Sequence, residues 1–130
     1  MSTQIENIPV ISFADKAKIE NVIAHLASHE KTKYVAQLIS ELERAVIKDE
    51  ADISDDIIRI ESFFTIQEID TGKEYSFQLT LPKNSDFKEG KISLLSAMGV
   101  ALIGFSKNNI VNWELPGGMK KIKITKVSNP

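Results

Sequence analysis

The chain has no cysteine among its 130 residues. That excludes a disulfide framework, a thiolate nucleophile and a thiolate metal site. It also fits a reducing compartment, so a cytoplasmic location is expected. A long apolar run is missing as well. The longest, "ISLLSAMGVALIGF" at 92–105, is bounded by Lys91 and Lys107. A bilayer-spanning helix needs roughly 20 apolar residues, so no membrane partner is expected and the run reads as a core element. The N-terminal "MSTQIENIPVISF" has no basic start followed by an apolar stretch, so no signal peptide is expected. Nor is there an excess of positive charge: the net charge is −2. A clustered basic face with a high pI marks a nucleic-acid binder, so no direct sequence-specific nucleic-acid binding is expected. Aromatic residues are sparse, with one tryptophan, two tyrosines and six phenylalanines.

What remains is a globular composition, 42% apolar and 26% charged, at the length of one domain or one domain with an appendage. Residues 12–48 carry helical periodicity. Ser12, with Asp15 three residues on, has the form of a capping box. Ile19, Val22, Ile23 and Leu26 share one face, and after the polar stretch 28–32 so do Val35, Leu38, Leu42 and Ala45. This predicts two helices of about 14 residues, each about 21 Å long, paired as a hairpin. Residues 48–56, "KDEADISDD", form an acidic connection.

From residue 57 the period becomes two. "IIRIESFFTIQEI", the turn "DTG" at 70–72 and "KEYSFQLTL" predict a hairpin, with Tyr75, Phe77, Leu79 and Leu81 on one face. "KISLL", "NNIVNWEL" and "KKIKITKV" supply three more strands, the last two joined by "PGG" at 116–118. The pattern predicts an α+β fold with an antiparallel sheet and one helix packed on it. Ser96 is placed to cap that helix, Gly99 to let it approach the sheet closely, and Gly104 to end it in the left-handed conformation.

"KISLLSAMGVALIGFSKNNIVNWELPGG" resembles the C-terminal domain of the Gre transcript-cleavage factors, in the order strand, serine-capped helix, strand, tryptophan, glycine turn. "ELERA" at 41–45, "DIIRIES" at 56–62 and "DTGKEYSFQLTLP" at 70–82 are similar to the regulator of nucleoside diphosphate kinase (Rnk) branch of that family. The resemblance implies three parts: a short helical hairpin, or coiled coil, at 1–48, a linker at 49–56, and an FKBP-like domain at 57–130. It implies RNA polymerase as the partner, bound near the secondary channel through Leu95, Ser96, Ala97 and Met98. Family members often have proline after the serine, where this chain has Ala97. In cleaving members, the resemblance implies, a pair of carboxylates at the hairpin tip helps the polymerase hold a second Mg²⁺. Here the tip, with His29, Glu30 and Lys31, has one carboxylate among cations. A regulator that binds polymerase without stimulating cleavage is therefore expected, with no catalytic residue, no metal site and no cofactor of its own. An active cleavage factor and a peptidyl-prolyl isomerase-like binding module are the alternatives. His25 and His29 are four apart but lack a carboxylate at matching spacing, which disfavours a metal site.

Overall fold

The structure is a computed structural model that describes residues 8–115 and 117–130, with only the backbone described at Glu114 and Leu115. The turn expected at 116–118 includes Pro116, which lies outside the described residues. The chain opens with strand β1 (Val10–Ser12), helix α1 (Phe13–Ala24), helix α2 (Lys33–Arg44) and strand β2 (Val46–Lys48). It continues with β3 (Phe63–Glu68), β4 (Glu74–Thr80), β5 (Lys91–Ser93), helix α3 (Ala97–Leu102), β6 (Ile110–Leu115) and β7 (Gly118–Ser128).

The two N-terminal helices are where helical spacing put them, each 12 residues long, or about 18 Å at 1.5 Å per residue. Ser12 does cap α1: its Oγ accepts the Asp15 N–H at 3.0 Å. The Asp15 carboxylate does not turn back to complete a capping box. It accepts the Ile60 N–H at 3.1 Å, tying α1 to the sheet segment. The segments flanking the helices, β1 and β2, pair in parallel, Val10 opposite Val46 and Ser12 opposite Lys48.

The helical pair does not stand clear of the sheet. Ile11, Ile19 and Leu38 join Ile58, Phe64, Ile66, Leu79, Ile122 and Ile124 in one hydrophobic core, with Ile23 and Leu42 packed at its margin. Helix α2 lies against α3. The acidic connection is also tied down: the Asn129 Nδ2 donates to the Asp55 and Ile57 carbonyls, and Lys107 N–H donates to the Asp56 carbonyl.

The sheet has five strands in the order β5-β4-β3-β7-β6. It differs from the expected antiparallel sheet in one pair: β4 and β5 run parallel, Gln78 opposite Lys91 and Thr80 opposite Ser93. The reason is the connection at 81–90, whose two single-turn 3-10 helices carry the chain back across before β5 starts. The strand expected from residue 57 begins at Phe63. Ile58 is instead bonded to the loop after α3, its N–H to the Phe105 carbonyl and its carbonyl to the Gly104 N–H. Glu61 has φ +80°, which interrupts any extended run.

Candidate functional site

Helix α3 and the sheet in front of it form one of the hollows of the surface. The approach to α3 is fixed by a small network. Ser96 Oγ accepts the Gly99 N–H at 3.0 Å and donates to the Ser93 carbonyl at 2.7 Å, and Ser93 Oγ accepts the Leu95 N–H at 3.0 Å. These bonds tie the turn into α3 to the end of β5. Gly99 sits where no side chain fits: a Cβ there would lie 2.3 Å from the Ser93 carbonyl oxygen and 2.8 Å from Leu94 Cα. Gly104 ends the helix with φ +85°, as a left-handed C-terminal glycine does.

The cap region faces a groove of about 660 Å³. Ala97 and Met98 form one wall, and Tyr75, Phe77, Phe87 and Trp113 line the rest. The aromatic rings make a row. Phe77 lies 6.4 Å from Tyr75 and 6.0 Å from Phe87, both near-parallel, and 6.2 Å from the buried Phe64. Phe87 is 76% exposed although its ring is packed on Phe77, so it presents an apolar edge to solvent. The Trp113 indole N–H is buried and has no hydrogen-bond partner among the described residues. Tyr34, from the first turn of α2, closes one side of the groove.

One end of the groove carries an ion pair. Lys120 Nζ lies 3.1 Å from Glu68 Oε1, which also accepts from Thr71 Oγ1 at 3.3 Å. The hydrogen bond from Lys120 holds the Glu68 carboxyl below its usual range, and the same bond pushes the Lys120 ammonium up. An apolar, aromatic-lined groove with polar groups at its rim takes up a protein segment through buried aromatic contact.

Of the four residues expected to bind a partner, Ser96, Ala97 and Met98 line this groove and Leu95 does not. Leu95, Ser96 and Ala97 are half-buried, but Met98 is only 8% exposed and belongs to the core as well as to the groove wall. The aromatic row was visible in part: the alternation of Tyr75 and Phe77 put them on one face. Phe87 lies in a polar loop with no period, and nothing local marks it as part of a site.

The tip residues lie elsewhere. Ser28–Glu30 form a 3-10 turn, and His29, Glu30 and Lys31 are exposed. The Glu30 carboxylate accepts the Ala27 N–H at 2.8 Å. Glu30 also lines a hollow with Leu81, Pro82 and Lys83, at the end of β4. The tip therefore shares a hollow with the turn that follows β4. His25 Nδ1 lies 2.8 Å from the Asn21 carbonyl. Among the described residues, no group of three or more His, Asp or Glu is placed to hold a metal ion. No described helix is long and apolar enough to cross a membrane.

The structure is thus an α+β sheet domain with a serine-capped helix beside an aromatic-lined groove. The comparisons with known proteins give the family. Residues 53–129 match the family described as "Transcription elongation factor, GreA/GreB, C-term". The transcription elongation factor GreA of Bradyrhizobium diazoefficiens is 36% identical over 111 residues, covering 83% of this chain and 71% of that protein. GreA of Thermotoga neapolitana is 30% identical over 95 residues, 73% of this chain and 58% of that protein. A solved structure from Nitrosomonas europaea, a prokaryotic transcription elongation factor GreA/GreB, superposes with a TM-score of 0.78 at 26% identity, covering 95% of this chain and 99% of that one. Thermus aquaticus Gfh1 superposes with a TM-score of 0.54 at 26% identity, over 74% of this chain and 62% of that one. The chain belongs to the GreA/GreB transcription elongation factor family.

Proposed function

We propose that this protein is a Gre-family, Rnk-like transcription regulator that docks on RNA polymerase near its secondary channel and does not stimulate transcript cleavage. In this reading, residues 57–130 are an FKBP-like docking domain, 49–56 a tether and 1–48 a blunt helical hairpin. The docking surface is the groove beside Leu95, Ser96, Ala97 and Met98, with Phe87 as its exposed anchor. The protein acts in the cytoplasm, has no catalytic residue of its own and needs no cofactor.

The observation that carries the reading is the state of the tip. Delivery of acid groups to a polymerase active centre needs long arms and free carboxylates. Here the arms are 12 residues each. The one tip carboxylate, Glu30, is bonded to the Ala27 N–H and lies beside Pro82 and Lys83. Hard oxygen ligands hold Mg²⁺, and a single carboxylate flanked by Lys31 is a poor donor set for it.

Binding to purified core polymerase, measured by surface plasmon resonance, tests the docking surface. The wild type binds at micromolar concentration. Ala97→Asp and Phe87→Ala weaken binding about tenfold or more, because one would bury a charge at the contact and the other removes the anchor. Phe87 is exposed and Ala97 is half-buried at the first position of α3, where an aspartate suits the helix N-terminus, unlike a charge at the buried Met98; circular dichroism checks that both variants fold. No binding by the wild type, or undiminished binding by both variants, contradicts the proposal.

A further inference from the structure

Helix α3 covers one face of the five-stranded sheet, and no described helix covers the other. The side chains on the open face follow from the register. Phe63, Thr65 and Gln67 of β3 stand opposite Ser128, Lys126 and Lys123 of β7, and Lys121 lies opposite Asn112 of β6. A strict period of two would place Lys126 with Ile122 and Ile124, toward the core. A bulge prevents this. The register shifts between Thr65 and Ile66, so Val127 turns inward opposite Phe64 and Lys126 turns outward opposite Thr65. The result is a row of three lysines, the first two about 6.8 Å apart, beside a Phe63 ring that is 52% exposed.

The face also has a basin. Phe63, Ser76, Ser128, Lys91, Lys107 and Lys126 line a concavity of about 860 Å³. Its carboxylates are Glu89, 3.7 Å from Lys91, and Asp56. Glu74 lies two strands from Lys123, opposite Gln67. Among the described residues, Lys107, Lys121, Lys123 and Lys126 make no ion pair, whereas Lys16, Lys91 and Lys120 do. The charge is also segregated along the chain. Residues 57–130 hold ten Lys and Arg against seven Asp and Glu, while residues 1–56 hold six against eleven.

We propose that the open sheet face binds single-stranded RNA, with phosphates along Lys121, Lys123 and Lys126 and a base on the Phe63 ring. Unpaired lysines on a flat face supply the phosphate contacts, and an exposed aromatic ring among them supplies sequence-tolerant stacking. The exposed Ser128 hydroxyl, opposite Phe63, is a partner for a 2′-hydroxyl, which DNA lacks, while the Ser76 hydroxyl is bonded to Thr65 Oγ1 at 2.8 Å. Lys91 lines both the basin and the groove, but Phe63, Lys121, Lys123 and Lys126 do not line the groove, so their test is independent of the polymerase-docking reading.

The test uses the full chain without polymerase and a fluorescein-labelled, mixed-sequence, single-stranded RNA of about 15 nucleotides. Anisotropy is titrated from about 50 to 200 mM salt. The wild type binds with a salt slope of about −2, the value for three phosphate contacts on a single strand. Lys121→Gln/Lys123→Gln/Lys126→Gln loses at least tenfold and most of the slope. Phe63→Ala loses severalfold with the slope kept. Lys16→Gln/Lys18→Gln/Lys88→Gln, the same charge change elsewhere, binds like the wild type. Circular dichroism checks that every variant is folded. Absence of wild-type binding, or an equal loss in the control triple, overturns the proposal. So does indifference to Phe63→Ala together with equal capture of a polyglutamate peptide, which would mark an acidic-protein surface. Equal affinity for the matching DNA overturns the assignment to RNA.

Discussion

Asp15 shows how much one residue can carry that its position in the sequence does not reveal. Helical spacing made it a capping residue, but its carboxylate is bonded 45 positions away, to the Ile60 N–H. The residue is only 4% exposed. Burial pushes its pKa above the usual range, and the Ile60 bond and the Arg59 charge only partly oppose that. A carboxyl raised in the folded state favours folding when protonated. Its contribution is complete below the unfolded value, about 3.9, and is lost as pH rises through the raised folded value. Urea unfolding of the wild type and Asp15→Asn across that window should show the wild type losing stability relative to the variant as pH rises. Parallel curves would contradict the assignment. Gly99 was legible from sequence as a point of close approach, and the 2.3 Å to Ser93 gives the reason. Gly99→Ala should cost about 1–3 kcal/mol or more by overpacking against backbone. Gly117→Ala, with nothing within 4 Å of its Cβ, should stay within about 0.5 kcal/mol. Thermal melts of the two variants decide it.

At the scale of elements, what could be read was what periodicity encodes. Both helices, the β3–β4 pairing, and α3 with its serine cap and glycine stop follow from local pattern. The β4–β5 parallel pair did not, because its direction depends on how the 81–90 connection travels and not on any residue's preference. The start of β3 was also missed. The apolar run from residue 57 looks like strand, but its hydrogen bonds go to the loop after α3. The bulge in β7 leaves a trace in "KIKITKVS", where the alternation slips by one residue after Thr125. Deleting Thr125 would remove the extra residue and leave Lys126 outward and Val127 inward on a regularly alternating strand. A cooperative unfolding transition should survive the deletion, and its loss would contradict the register. The tip is likewise a matter of element geometry. Adding a second carboxylate with Lys31→Asp should not produce cleavage of a backtracked transcript, because the arms remain 12 residues long. Cleavage by that variant would show that arm length is not what limits the tip.

For the whole molecule, the sequence indicated the family, but not the lie of the helical pair. Helical faces that bury residues are equally satisfied by a partner helix or by a neighbouring domain. Only the shared core of Ile11, Ile19 and Leu38 with the sheet residues shows that these helices pack back. That packing brings Tyr34 to the groove and Glu30 beside Pro82. In the proposed reading the molecule has a docking face and a tip without reach. Competition tests this combination most directly. A backtracked elongation complex is incubated with a cleavage-competent Gre factor, and this protein is titrated in while transcript shortening is followed. The account predicts that cleavage falls as the protein is added and that the protein alone shortens nothing. Cleavage that is unchanged by its addition, or that it stimulates by itself, would contradict the account.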